Sequence, residues 1–599
     1  MMIAGTHLPY NGATLQERRA QQQPDTRILG RIIACDGAQA VIAARADDAD
    51  QASHWTVGRM ISVNLGDIRT VGFVYEIATA APTWETGAEN AINVKIELVG
   101  EVRDTPAGPV FNRGITTYPH LGANAHRIRG RDLEALYDLG GRRAISVGTL
   151  SQDASIDVSV AIDDCLNRHF AVVGTSGVGK STAVSLLVRK AVAARPDLRV
   201  LIFDPHNEFA TAFPGQAHRI DLSSLDLPFW MFRLEELAEV LFRGRAPDTN
   251  EVDLLRELIP QAKQNYRAGA QAGLVRRSSD NGGITADTPI PYRIADITRQ
   301  LDERLGMLDS KDMRPVLRSL RARIDAAVAD PRYRFMFASH LIEDTLHRAI
   351  GSVFRVPHEG KPITCFSMAG MPSEVVNAVC SVLARLAFDL AEGSENKLKI
   401  LVLCEEAHRY MPSDPALGFA PVRHALSRIA KEGRKYGCYL GVVTQRPGEL
   451  DATILSQCST IFAMRLANEH DKAIIRSAIS DSSASTLSFL SSMGQREAIA
   501  FGEGVATTMR LTFEEQPARL LPGHHNGDDD DTGHSDDVDL ARIIHRLRAT
   551  QQPDQGTASE TRSSEPLPSA AERMSAPADR DREPSLYLRR ATDTRFGKL

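Results

Sequence analysis

The stretch Gly174-Thr-Ser-Gly-Val-Gly-Lys-Ser181 sets three glycines ahead of a lysine and a serine. Glycines let a backbone turn inward so that successive N–H groups face an anion, and the lysine then reaches the outer oxygens of a polyphosphate. The apolar run Phe170-Ala-Val-Val173 precedes this loop, and an apolar-periodic helix over Ser181–Ala194 follows it. Strand, glycine turn and helix N-terminus together make a phosphate cradle. Gly174, Thr175, Ser176, Gly177, Val178, Gly179, Lys180, Ser181 and Thr182 are therefore assigned to nucleotide binding. Lys180 is expected on the β- and γ-phosphates and the Ser181 hydroxyl on magnesium, with Thr182 packing beneath the loop. ATP and Mg²⁺ are the expected cofactors.

A second apolar run, Ile400-Leu-Val-Leu-Cys404, ends in Glu405-Glu406-Ala407-His408. Adjacent carboxylates at a strand end repel one another, and a nearby cation is the natural reason to keep both. Glu405 is expected to hold magnesium through water, and Glu406 to orient or deprotonate the attacking water. His408 either couples the nucleotide to a neighbouring subunit or caps the turn. Ligands of parallel sheets sit beyond the carboxyl ends of the strands, which brings Asp204, in Phe203-Asp-Pro-His-Asn-Glu-Phe209, to the metal, with Glu208 close by. The Asp-Pro pair alone also reads as a turn. Gln445, in Val-Val-Thr-Gln-Arg-Pro, either senses the γ-phosphate or caps its strand.

Phosphoryl transfer gains from an extra cation, often lent by a neighbouring subunit. The segment Arg428-Ile-Ala-Lys-Glu-Gly-Arg-Lys-Tyr-Gly437 concentrates four cations before a core strand. Arg434 is the first choice for such a finger and Arg428 the second. Arg168, just before the first core strand, is a third, expected near the nucleotide. A surface or interface salt bridge is the alternative for each.

The elements that must position these residues follow from hydrophobic patterning. Residues 1–25 are polar and read as a flexible arm. Short β-rich runs at Ile28–Cys35, Gln39–Ala44, Gly58–Leu65, Thr70–Ile77 and Ile92–Val102, with Asp36-Gly37 as a hairpin turn, predict a small barrel. Residues 103–150 look irregular, with one short helix near Arg131–Leu139. From 151 to 519 buried strands alternate with helices, the pattern of a parallel α/β sheet. A mostly helical insertion occupies about 232–360. The arginines of Arg314–Val328 read first as a solvated helix face and second as a nucleic-acid stripe. The tail 520–599 is acidic and rich in Pro, Ser, Glu and Gln, a composition that cannot bury enough apolar surface to order itself.

Composition bounds the rest. The 599 residues carry 43% apolar and 24% charged side chains, as ordinary globular chains do. A net charge of −6 rules out a protein basic throughout, but a ring with a basic channel can be acidic outside. The seven cysteines, with no Cys-x-x-Cys pair, suit a reducing cytoplasm. No signal peptide is seen, no run reaches the length of a membrane span, and no membrane partner is expected.

Taken in order, Asn167-Arg-His-Phe-Ala-Val-Val-Gly-Thr-Ser-Gly-Val-Gly-Lys-Ser181, Asp204-Pro-His-Asn-Glu208, Glu405-Glu-Ala-His408, Arg428 to Gly437 and Thr444-Gln-Arg-Pro447 resemble the HerA branch of the HerA–FtsK family of hexameric DNA-translocating P-loop ATPases. The resemblance spans about 145–515, and the β-rich region looks like the family's barrel domain. It implies a RecA-like core in a ring, with ATP between subunits and double-stranded DNA in the channel. It implies hydrolysis carried by Lys180, Glu406, Arg168 and an arginine within 428–434. It also implies a nuclease partner of the NurA type in DNA end processing, or alternatively an ATPase ring that scaffolds or regulates an effector in an anti-phage defence complex.

Overall fold

The computed structural model describes residues 28–46, 55–270 except 223, 244, 246 and 247, then 283–307, 312–337, 343–478 and 487–523 except 488. The arm at 1–25 and the tail beyond 523 lie outside the described residues.

Seven strands form the first layer: β1 (Ile28–Cys35), β2 (Gln39–Ala46), β3 (Met60–Leu65), β4 (Ile68–Thr79), β5 (Asn90–Thr105), β6 (Gly108–Asn112) and β7 (Asn124–Arg127). Their order is β2-β1-β7-β3-β4-β5, and β2 pairs back onto β5, so six antiparallel strands close into a barrel. Strand β6 extends β5 outside the ring. Alternation makes the interior: Ala40, Ile42, Ala44 and Ala46 of β2 are buried while their neighbours face outward. The turn at Asp36-Gly37 holds as expected, its carboxylate accepting the amides of Ala38 (2.9 Å) and Gln39 (2.7 Å).

The segment 103–150, expected to be irregular, is corrected. It holds its helix, α1 (Gly130–Tyr137), but also β6, β7 and the start of the core sheet. Strand β7, Asn-Ala-His-Arg, has no β-branched residue; it is a strand because β1 and β3 pair with it on both sides.

The core sheet has eleven strands. In chain order they are β8 (Ala144–Leu150) and β9 (Asp153–Ala161), then after α2 (Ile162–Asn167) β10 (Phe170–Val173), then after α3 (Lys180–Ala194) β11 (Leu198–Asp204) and β12 (Ala217–Ile220). The insertion contributes α4 (Leu234–Phe242), α5 (Thr249–Ala270), α6 (Ile294–Gly306), α7 (Arg314–Ala329), α8 (Arg334–Phe337) and α9 (Leu346–Phe354). There follow β13 (Ile363–Ser367), α10 (Ser373–Gly393), β14 (Lys399–Cys404), α11 (Ala420–Tyr436), β15 (Cys438–Thr444), α12 (Ala452–Gln457), β16 (Thr460–Ala463), α13 (Glu469–Ala478), β17 (Glu497–Gly502) and β18 (Met509–Phe513).

The spatial order is β12-β13-β11-β14-β15-β10-β16-β17-β18-β8-β9. The first seven run parallel and the last four add antiparallel. Helices cover both faces, so central strands are apolar on both sides. In β10, Ala171 and Val173 enter one core cluster, and Phe170 and Val172 the other. This is the RecA-like α/β P-loop core expected from the sequence, with a helical insertion and an N-terminal β-barrel.

Two of the four arginines of α7, Arg321 and Arg323, face carboxylates. Arg321 pairs with Asp302 (3.3 Å) and Asp325, and Arg323 pairs with Glu251 (3.2 Å) over the Phe242 ring. The barrel is fixed to the core by Arg113, whose guanidinium donates to the carbonyls of Val505 (2.7 Å) and Ala506 (2.8 Å).

Candidate nucleotide-binding site

The glycine loop leaves the carboxyl end of β10 and enters α3, as the sequence implied. Gly177 (φ +77°) and Gly179 (φ +100°) adopt the left-handed backbone that turns the chain inward, a conformation costly for residues with a Cβ. Both flanking strands tether the loop. The Gly174 amide donates to the Thr444 carbonyl of β15 (3.3 Å), and the Thr175 amide to the Arg465 carbonyl just past β16 (2.9 Å). Lys180 Nζ donates to the Thr175 carbonyl at 3.0 Å. Burial lowers the Lys180 pKa, while Glu406, Glu405 and Glu208 oppose that shift.

Strand β14, separated from β10 by β15, delivers the acids beside this loop. Ser181 Oγ donates to Glu405 Oε1 at 3.4 Å, joining the first turn of α3 to the end of β14. Glu405 and Glu406 are both buried. Burial pushes the Glu405 carboxyl up to about 8, helped by Asp204, Glu208 and Glu406. Its Oε2 is buried without a hydrogen-bond partner. A desolvated carboxylate among other acids, touching a serine hydroxyl, is chemistry that a divalent cation would relieve, so Ser181 and Glu405 fit Mg²⁺. Among the described residues no group of three His, Cys, Asp or Glu side chains could hold a metal by itself. Such an ion would therefore take ligands from phosphate and water.

Glu406 has φ +49°, a strained backbone for a non-glycine residue of the kind that clusters at active sites. Its Oε2 lies 3.4 Å from His408 Nδ1 without hydrogen-bond geometry, whereas the same Nδ1 bonds Thr444 Oγ1 at 3.1 Å. Burial lowers the His408 pKa, which favours a neutral ring. The Ser176 hydroxyl donates to Gln445 Oε1, so Gln445 touches the loop directly. Asp204 lies in the same cluster, but its two oxygens accept the amides of Glu208 (3.1 Å) and Phe209 (2.9 Å). The turn that the Asp-Pro pair suggested is therefore present, and Glu208 joins the acidic group around Lys180.

The three arginines sit elsewhere. Arg168 precedes β10, and the loop follows it. The four residues of β10, each rising about 3.3 Å, separate Arg168 from the loop of its own chain. The expectation that Arg168 lies near the nucleotide is thus corrected for its own subunit; it pairs with Glu503 instead. Arg434 ends α11 just before β15, at this same far end of the sheet. It is exposed and makes no ion pair among the described residues. Arg428, one turn and a half earlier, lies 3.9 Å over the Phe388 ring and pairs with Asp389 (3.3 Å), Glu392 (3.4 Å) and Glu432 (3.7 Å).

His169 links these two ends, and sequence reasoning passed over it. The Leu440 amide donates to Nδ1 (2.9 Å), so Nε2 carries the proton toward the Ala430 carbonyl (3.0 Å). One buried ring thereby ties the base of β10 to α11 and β15. Burial lowers its pKa to about 4, from 6.5. The unfolded chain binds more protons between those values, so the contribution of His169 is present above about pH 6.5 and lost as pH falls through 4. His169→Ala leaves a buried amide and a buried carbonyl unpaired, costing about 1–3 kcal/mol for each. Thermal melts across pH should show a lower midpoint for the variant at neutral pH and a gap that closes toward pH 4.

A family model described as the central domain of helicase HerA matches residues 145–387. A DNA double-strand break repair helicase HerA of Saccharolobus solfataricus is 26% identical over 494 residues, covering 78% of this chain and 89% of that one. A probable helicase of Methanocaldococcus jannaschii is 24% identical over 442 residues, covering 73% and 78%. Among solved structures, VirB4 of Thermoanaerobacter pseudethanolicus matches with a TM-score of 0.46 at 13% identity, over 64% of this chain and 100% of that one. The family model covers the glycine loop and strands β8 to β13, and both relatives align over more than two thirds of the chain. The family model and the relatives together support the HerA branch of the P-loop ATPases for this chain.

Proposed function

We propose that this chain hydrolyses ATP at subunit interfaces of a hexameric ring and uses the energy to move along double-stranded DNA. The observation that carries the reading is the meeting of Lys180, Ser181, Glu405 and Glu406 beyond the carboxyl ends of β10 and β14, within a HerA-type core. Lys180 binds the β- and γ-phosphates, and Ser181 and Glu405 hold magnesium, with Asp204 behind them. Magnesium, when bound with the nucleotide, offsets charge on the transferring phosphoryl group. Glu406 orients the attacking water and takes up its proton. Gln445, bonded to Ser176, is placed to respond when the γ-phosphate leaves.

The far-end placement of Arg434 supports a role in trans, since it cannot reach the phosphates of its own subunit. Arg168 shares that end and would act in trans as well. Relatives named as DNA double-strand break repair helicases favour duplex DNA as the track. A nuclease of the NurA type is the partner this reading assigns in end processing. No helix among the described residues is long and apolar enough to cross a membrane.

The test is ATP turnover with and without linear duplex DNA, alongside the mass of the assembly. A multimer whose turnover rises with duplex DNA is expected. A monomer that consumes no ATP, even with DNA supplied, would sink the proposal.

A further inference from the structure

The site described so far accounts for phosphates and metal but not for the nucleoside. A triphosphate laid in the glycine loop has its γ end at Lys180 and Glu406 and its α end at the N-terminus of α3. The nucleoside must then leave past Gly179. The residue waiting there is Arg496. Its amide donates to the Val178 carbonyl at 2.9 Å, inside the loop itself. Its Cγ lies 3.5 Å from where a Cβ on Gly179 would stand, so its stem rests against the last glycine of the cradle.

Arg496 is also held in an unusual way. Its φ is +62°, a backbone that non-glycine residues seldom adopt outside ligand clamps. The Phe513 amide donates to its carbonyl at 2.9 Å, fixing it from the other side. Its side chain is 35% exposed, with one ionic partner among the described residues, Glu515 at 3.4 Å. The neighbours of Glu515 are taken up by α3: Glu514 by Lys190 (2.6 Å), and Gln516 by Arg189. Alternation along this extended segment leaves Glu515 facing outward, 84% exposed, beside the guanidinium.

We propose that Arg496 and Glu515 form the nucleoside wall of the site, Arg496 stacking its guanidinium on the purine and Glu515 accepting a ribose hydroxyl. A planar cation suits the face of a base, and an acidic side chain is the usual acceptor for ribose hydroxyls. The pair bridges the exit of the cradle without touching the phosphates. This inference rests on the ATPase reading above and specifies which part of ATP is read.

The experiment uses the full chain and four ligands: ATP, inorganic tripolyphosphate, and the 2′-deoxy and 3′-deoxy forms of ATP. Arg496→Ala should raise KM for ATP about tenfold, the size of a desolvated cation–π contact, with kcat little changed. Inhibition by tripolyphosphate, which has no nucleoside, should stay within about twofold of wild type by the same reasoning. Arg496→Lys keeps the charge but loses the plane, and should resemble the alanine variant. Glu515→Gln carries little folding risk at so exposed a position, and should erase the preference for ATP over whichever deoxy form the wild type rejects. Equal weakening of ATP and tripolyphosphate by Arg496→Ala would overturn the proposal, because Arg496 would then be a phosphate ligand. An unchanged KM in both variants would overturn it too. If Lys180→Ala abolishes binding while these variants do nothing, only this inference falls. If Lys180→Ala binds ATP as wild type does, the ATPase site assignment falls with it.

Discussion

Lys180→Ala and Glu406→Gln are each expected to stop ATP turnover, and for separable reasons. Lys180 is the half-buried cation facing Glu405, Glu406 and Glu208. Without it, phosphate oxygens would enter a pocket whose remaining charges are acidic, so nucleotide binding itself should fail. Losing one preorganised donor to a phosphoryl group costs about 10²–10³ in rate even where substrate still binds. Glu406→Gln keeps the shape and removes one negative charge from the acidic group that raises the Glu405 pKa. ATP should then bind at least as tightly as to wild type while turnover falls about 10²–10⁴, the range for loss of a general base. Equilibrium binding and steady-state turnover on the same preparations separate the two. Full turnover in either variant would refute the assignment.

Arg434→Ala should cost about 10³ or more in turnover, the scale of a lost arginine finger. Binding of ATP by the isolated subunit should be unaffected. The reason is positional: Arg434 stands before β15, whose other end, Thr444, touches the glycine loop (3.3 Å), so the strand length separates them. A mixing experiment gives the decisive form. Subunits with Arg434→Ala keep an intact cradle, and subunits with Lys180→Ala keep an intact arginine. Mixed rings should recover activity that neither variant has alone, because some interfaces pair a good cradle with a good arginine. Arg428→Ala is the control. Stacked on Phe388 and paired with three carboxylates, its loss should lower stability by about 1–2 kcal/mol while turnover per folded molecule persists. No recovery on mixing, or a larger loss of turnover for Arg428→Ala, would move the finger elsewhere.

These placements set apart what the sequence determined and what the tertiary structure decided. The glycine loop, the acidic pair and the central strands were legible because each rests on local chemistry. Three glycines before Lys180 can make few things other than an anion cradle. Strands buried on both faces read as unbroken apolar runs, as in residues 200–203 and 400–404. The barrel strands at 28–46 and 60–105 were readable from alternation and an Asp-Gly turn. Strand β7 was not, because pairing on both sides, rather than residue type, makes it a strand. The hairpin β8–β9 was missed for a related reason: it adds to the sheet through β18, more than 300 residues away in sequence.

The arginines show the limit most directly. Sequence proximity put Arg168 beside the loop, yet a strand carries its two ends to opposite sides of a sheet. The same geometry sets Arg434 at the end of β15 away from its own loop, and leaves Arg428, six residues earlier, inside a helix pair. Arg496 and Glu515 had no motif to announce them, since the nearness of Arg496 to Gly179, and of Glu515 to Arg496, depends on the long-range pairing of antiparallel strands. Residue type and spacing determine which chemistry a chain can perform; which subunit and which part of the substrate each side chain meets depends on long-range pairing, which local pattern does not encode.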